Sequence, residues 1–170
     1  MSALVDRDRD LADRFVQDDP GRRLFRVHRA SMVLPEVFEA EQRRIFDRLW
    51  LYLGHESEVP GAGDYKLRTV AGRPLIYCRD ARGRLHAFLN SCPHRGSMVC
   101  REPEGNRKVF QCMYHAWTFG VDGSLISLPR EEAYAGDWRR EDLGLRDVPR
   151  MESHRGFVFI SFNPDVQPLV

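Results

Sequence analysis

No apolar run in the 170-residue sequence approaches the roughly 18 residues needed to cross a bilayer, so no membrane span is expected. Residues 1–8 lack a basic start followed by an apolar stretch, which argues against a secretory leader. Surplus charge is also missing: 26 basic and 25 acidic residues leave a net charge of +1. A field that weak gives no reason to expect nucleic acid or anionic lipid as a partner. Cysteine is scarce, with only Cys78, Cys92, Cys100 and Cys112, too few for a disulfide scaffold. Glycine-rich phosphate loops, serine nucleophile elbows and Cys-His nucleophile pairs are absent as well, and so are internal repeats and low-complexity tracts. What remains is a chain expected to be soluble and cytoplasmic. Its 42% hydrophobic content is enough for one core, with an appended arm.

Taken in order, residues 4–18 set Leu4, Leu11, Phe15 and Val16 among Asp and Arg, a pattern that predicts a short amphipathic helix. Asp19-Pro20-Gly21 ends it, and residues 24–29 are expected to run extended. Pro35 opens a second helix, carried to Trp50 by Val37, Phe38, Ile45, Phe46 and Leu49. From there the texture changes to short runs, at 50–54, 65–70, 74–78, 85–89, 108–111, 117–119 and 125–127. They are punctuated by turns at Pro60-Gly61, Ala71-Gly72, residues 80–83, Gly105-Asn106 and Asp122-Gly123. Residues 145–151 and 157–162 read as closing strands, after a polar segment with a helical turn near Glu131. Many short strands with frequent turns predict an antiparallel sandwich or barrel.

The chemistry is concentrated in two stretches. Cys92-Pro93-His94-Arg95-Gly96 and Cys112-Met113-Tyr114-His115-Ala116-Trp117 each carry one thiol and one imidazole at a predicted hairpin tip. Two cysteines and two histidines suit a Rieske [2Fe-2S] centre, whose irons take Cys on one side and His on the other. Zinc also accepts two of each. Its sites usually group Cys with Cys and His with His, whereas here each loop supplies one of each, which favours two irons over one zinc. Cys78 and Cys100 are expected in the core, where free cysteine behaves as a small apolar residue.

With Asn90-Ser91 before the first stretch, Trp117-Thr118-Phe119 closing the second, and residues 54–60 and 63–65 upstream, the chain resembles the Rieske domain of the large (alpha) subunit of aromatic-ring-hydroxylating dioxygenases. The resemblance runs from about residue 35 to residue 169. It implies a mainly β, Rieske-type antiparallel sandwich with two cluster-binding hairpin loops, preceded by N-terminal helices. It also implies that Cys92 and Cys112 hold one iron and that His94 and His115 hold the other, with Arg95, Tyr114 and Trp117 packed around them. Trp117 is expected as a core residue rather than an electron relay. Family members commonly carry Pro at position 113 and Gly at position 116, where this chain has Met113 and Ala116. Respiratory Rieske proteins carry two further cysteines where this chain has Ser97 and Tyr114. With no loop-bracing disulfide and fewer donors to the cluster, the centre is expected in the lower part of the roughly −150 to +300 mV Rieske range.

The remaining histidines, His28, His55, His86 and His154, form no helical pair, so the two-His, one-carboxylate site of an oxygen-activating iron is not expected in this chain. In the resembled family that mononuclear Fe(II) lies on a separate catalytic domain. The expectation is therefore an electron-transfer unit with no catalytic residues of its own. A ferredoxin or flavin reductase would donate to it, and the catalytic domain of its own or a neighbouring alpha subunit would accept, within a homo- or hetero-oligomer. Residues 1–49 are expected as a helical arm, 50–163 as the Rieske domain and 164–170 as the start of a linker. A stand-alone Rieske ferredoxin and a zinc-stabilised binding module are the alternatives; the long amino-terminal arm favours an oligomer subunit over the ferredoxin.

Overall fold

The computed structural model describes residues 10, 11, 13–134 and 138–170. They fall into two compact units, Met1–Arg48 and Leu49–Val170. In the first unit, β1 (Val16–Asp19) and β2 (Leu24–Val27) form an antiparallel hairpin in which Val16 faces Val27. A 3-10 turn at Pro20–Arg22 joins them, capped by the Asp19 carboxylate, which accepts from the Arg22 backbone N–H at 3.1 Å. The helix α1 (Pro35–Glu41) starts on its proline and passes into a π-type turn at Gln42–Phe46, where the Asp47 N–H donates to the Gln42 carbonyl at 2.8 Å.

The expectation of N-terminal helices is corrected in part. Of the helix expected over 4–18, residues 1–9 and 12 lie outside the described residues, and Asp10, Leu11 and Asp13 are helical. Residues 16–19 are a strand instead. Leu11, Phe15 and Val16 satisfy a helical period, but the β-branched Val16 and the Asp19-Pro20-Gly21 reversal serve a hairpin equally well, and cross-strand pairing decides the outcome. The second helix is also shorter than its apolar pattern, because the wider turn after Glu41 takes over its last residues.

Among its described residues the second unit is built of strands, loops and three short 3-10 turns. β3 (Leu51–His55), β4 (Asp64–Val70), β5 (Arg73–Arg79), β6 (Leu85–Leu89), β7 (Glu104–Asn106), β8 (Val109–Gln111), β9 (Thr118–Gly120), β10 (Leu125–Ser127), β11 (Arg150–His154) and β12 (Phe157–Ser161) make three antiparallel sheets. Their orders are β6-β5-β4-β7, β10-β9-β8 and β11-β12-β3. The β4–β5 hairpin turns on Ala71 (φ 48) and Gly72 (φ 75), both left-handed, which is the two-residue turn that matches strand twist. Arg155 (φ 52) and Gly156 (φ 85) do the same between β11 and β12.

Alternation along β4 and β5 divides the core. On one side Tyr65, Ile76, Cys78, Phe88, Phe110, Trp117 and Phe119 pack with Cys92 and Cys112. On the other, Leu53, Val59, Leu75, Tyr77, Val158 and Ile160 gather under β3 and β12. Two strands depart from expectation. Gly105-Asn106, read as a turn, belongs to β7, which pairs with the start of β4. The closing strand read at 145–151 begins only at Arg150; before it, Asp147 makes a single bridge to Phe88.

Candidate metal centre

Two turns of the same build present the four ligand candidates. In the first, the Gly96 N–H donates to the Cys92 carbonyl and the Cys92 N–H to the Ser97 carbonyl, each at 2.8 Å. In the second, Ala116 N–H to Cys112 C=O and Cys112 N–H to Trp117 C=O repeat both bonds at 2.8 Å. The fifth residue of each turn is left-handed, Gly96 at φ 71 and Ala116 at φ 56. Position 116 therefore has the backbone that favours glycine, and this chain fills it with alanine.

The turns differ in where the imidazole sits. His94 is two residues after its cysteine and His115 three after its own, so equivalent backbones carry the rings from neighbouring positions. The ring centroids of His94 and His115 lie 4.6 Å apart. Both cysteines are buried and unpaired by any disulfide, while both imidazoles remain partly open. Burial pushes the Cys92 thiol above its ordinary value, and the Cys112 thiol beside it pushes the same way; the backbone N–H groups of His94 and Arg95, aimed at the sulfur, oppose this. Burial lowers His94, and the nearby charges of His115 and Arg95 lower it further, so it stays neutral and able to ligate at neutral pH.

Aromatic packing fixes the rings. The Trp117 indole lies 5.0 Å from His94 at an interplanar angle of 3°, and Tyr114 lies 3.9 Å from His115. Arg95 sits over the Tyr114 ring at 5.7 Å. Trp117 is buried in the core, as expected, and its indole N–H has no partner among the described residues. With His94, His115, Pro129, Arg130 and Tyr134 it lines a cavity of about 390 Å³.

Asn90 holds the first turn to the strands and was missed by sequence reasoning. Its side chain donates to the Cys100 carbonyl at 2.7 Å and accepts from the N–H groups of Val99 and Cys100 at 3.0 and 2.9 Å. Only its place just before the first ligand pair could have singled it out. Cys78 and Cys100 are buried as expected, and burial pushes the Cys78 thiol up to about 12. His55 caps a 3-10 turn at Glu56–Glu58 and packs edge-on against Phe157 at 5.1 Å.

Among the described residues no three His, Cys, Asp or Glu side chains gather closely enough to hold one metal ion. A two-iron cluster asks for less, since each iron takes two protein ligands and bridging sulfides complete its sphere. Two interacting buried thiols and two neighbouring, partly open imidazoles are the donor set of that group.

A family model for the Rieske [2Fe-2S] domain matches residues 49–149. The chain belongs to this family. Among relatives of the Rieske chain, the large subunit of anthranilate 1,2-dioxygenase from Acinetobacter baylyi is 38% identical over 144 residues, covering 85% of this chain and 30% of that protein. Subunit alpha of toluate 1,2-dioxygenase from Pseudomonas putida is 35% identical over 163 residues, covering 94% of this chain and 36% of the relative. The crystal structure of naphthalene 1,2-dioxygenase from Rhodococcus sp. bound to indole superposes with a TM-score of 0.79 at 40% identity, over 82% of this chain and 32% of the other. The Rieske chain thus spans about a third of the length of the relatives it matches. Among its described residues no helix is long and apolar enough to cross a membrane.

Proposed function

We propose that the Rieske chain is the electron-transfer part of a dioxygenase alpha subunit, with Cys92 and Cys112 on one iron and His94 and His115 on the other. The observation that carries the assignment is the pair of matched turns, which bring a buried thiol pair and a facing imidazole pair together. When bound, a [2Fe-2S] cluster supplies reversible one-electron storage. The protein's own residues orient the ligands and set access to them. Backbone N–H groups of His94 and Arg95 stabilise thiolate charge at Cys92, Trp117 clamps the His94 ring, and burial keeps water from the sulfurs.

The exposed edge is formed by His94 and His115 with Met113, Tyr114 and Arg95 around them, so electrons enter and leave there. The donor class is a ferredoxin or flavin reductase. The acceptor is a mononuclear iron on a catalytic domain of the same or a neighbouring alpha subunit, in a cytoplasmic oligomer. On this reading residues 50–163 are the cluster domain, 1–49 an assembly arm and 164–170 a linker.

Anaerobic titration with dithionite tests the transfer role: the iron-loaded protein takes up about one electron per chain, and uptake of none refutes it. The stand-alone ferredoxin reading is tested by the reading frame beyond Val170. A following segment with two histidines separated by four intervening residues, and a nearby carboxylate, supports the dioxygenase assignment; a stop codon there overturns it.

A further inference from the structure

A second concave site lies in the same unit, at the ends of the strands away from the ligand turns. β6, β8 and β9 each have one end at or near a ligand turn, and their other ends meet the turns that line this pocket. Its volume is about 520 Å³, within the range of small-molecule sites. Arg82, Arg84, Arg107 and Lys108 line it, together with Asp80 and Asp122.

The carboxylates are already engaged. Asp80 accepts from the backbone N–H groups of Arg82 and Arg84 at 2.8 Å each, from Arg84 Nε at 2.9 Å and from His86 Nε2 at 3.0 Å. Asp122 Oδ1 accepts from the Ser124 hydroxyl at 2.6 Å and the Ser124 N–H at 3.2 Å. Among the cations, Arg84 Nε is held by Asp80 at 2.9 Å and Arg107 lies over the Tyr65 ring at 5.9 Å, whereas the Arg82 and Lys108 side chains are exposed and have no ion pair among the described residues. Positive charge is therefore left over in a concave site of a chain that is otherwise almost neutral.

The wall is preorganised. Gly63 donates to the Arg79 carbonyl at 2.8 Å and accepts from the Arg107 N–H at 2.9 Å. At its φ of +87 a Cβ would stand 2.6 Å from the Arg107 carbonyl oxygen, so bare backbone is required. Three guanidinium groups and an ammonium lining one cavity are the chemistry of anion recognition.

We propose that this pocket binds a small polyanion, a phosphate ester or a polycarboxylate, through Arg82, Arg84, Arg107 and Lys108. The site is independent of the cluster, whose absorbance is monitored as a separate control. Calorimetric titration of the full chain with inorganic pyrophosphate and with citrate, in low-chloride buffer, tests it. Saturable one-to-one binding of either probe is expected, and the tighter of the two identifies the anion class. Replacing both exposed cations (Arg82→Gln with Lys108→Gln) is expected to weaken binding about tenfold or more, the effect of losing charge-assisted hydrogen bonds. The control pair Arg26→Gln with Arg29→Gln leaves it unchanged. Each single variant is measured too, with melting temperature as the check on folding. Absence of saturable binding at millimolar probe, equal weakening by the control pair, or binding of a polyglutamate peptide alone would overturn the proposal.

Discussion

Ala116 offers a sharp quantitative test, because the two ligand turns are matched in hydrogen bonding but not in residue type. At φ 56 an L-residue sits in the left-handed region, which costs about 1–2 kcal/mol. Glycine removes that cost but adds about 0.4–1 kcal/mol of unfolded-state freedom. The balance favours Ala116→Gly by about 0.5–1 kcal/mol. In a protein of this size that corresponds to a rise of roughly 1–4 °C in melting temperature. The reverse change at the equivalent place isolates the same effect. A Cβ on Gly96, at φ +71, would meet nothing nearer than Ser91 Oγ at 3.9 Å, so Gly96→Ala carries backbone strain without a clash and is expected to cost about 1 kcal/mol. Both variants are followed by thermal loss of cluster absorbance, which reports the ligand turns rather than the amino-terminal unit. A destabilised Ala116→Gly, or a Gly96→Ala indistinguishable from wild type, would show that these turns are not strained as their dihedrals indicate.

Other perturbations reach the supports of the site. Asn90→Ala leaves the buried Cys100 carbonyl and the Val99 and Cys100 N–H groups without partners; at about 1–3 kcal/mol each, discounted for relaxation, the loss is about 3–5 kcal/mol by urea denaturation, and a loss under about 1 kcal/mol on that scale contradicts the role. Gly123→Ala puts a Cβ 2.4 Å from the fully buried Phe88 ring at φ +81, so a cost of about 2–5 kcal/mol is expected, and an unchanged denaturation midpoint refutes it. Burial opposes ionisation of Asp80, but hydrogen bonds from His86, Arg84 and the backbone outweigh it and hold its pKa below the ordinary carboxylate value. The sign follows: its contribution is complete above the unfolded-state pKa of about 3.9 and is lost as pH falls further toward the depressed folded value. Asp80→Asn should therefore lower stability at neutral pH and flatten the acid limb of the stability curve; an acid limb of unchanged slope would exclude the linkage. A redox titration should place the midpoint below about +100 mV, in the lower part of the Rieske range, and a higher value would contradict the sparse hydrogen bonding expected around the sulfurs.

The second unit was largely legible in the sequence because short apolar runs and turn residues coincide there. Residues 85–89 and 125–127 are strands at the expected bounds, and Ala71-Gly72 is a hairpin turn as its residues suggest. Local pattern failed where pairing overrode it. Val16–Asp19 joins a hairpin rather than a helix, and Glu104–Asn106, three exposed residues with no apolar signature, becomes a strand only by pairing with β4. At the metal centre, residue types and spacing pointed to the four ligand candidates. The left-handed backbone at Ala116 was signalled only by the glycine that the resembled family commonly carries there, whereas the brace from Asn90 and the stacking of Trp117 on His94 depend on three-dimensional closure.

The central claim is that two thiolates and two imidazoles from the matched turns hold one two-iron cluster. Electron paramagnetic resonance of dithionite-reduced, histidine-15N-labelled protein measures it most directly. The account predicts a signal coupled to two histidine nitrogens, with both couplings lost in the paired His94→Ala and His115→Ala variant. A colourless, resonance-silent sample holding zinc, or a cluster signal without nitrogen coupling, would contradict it.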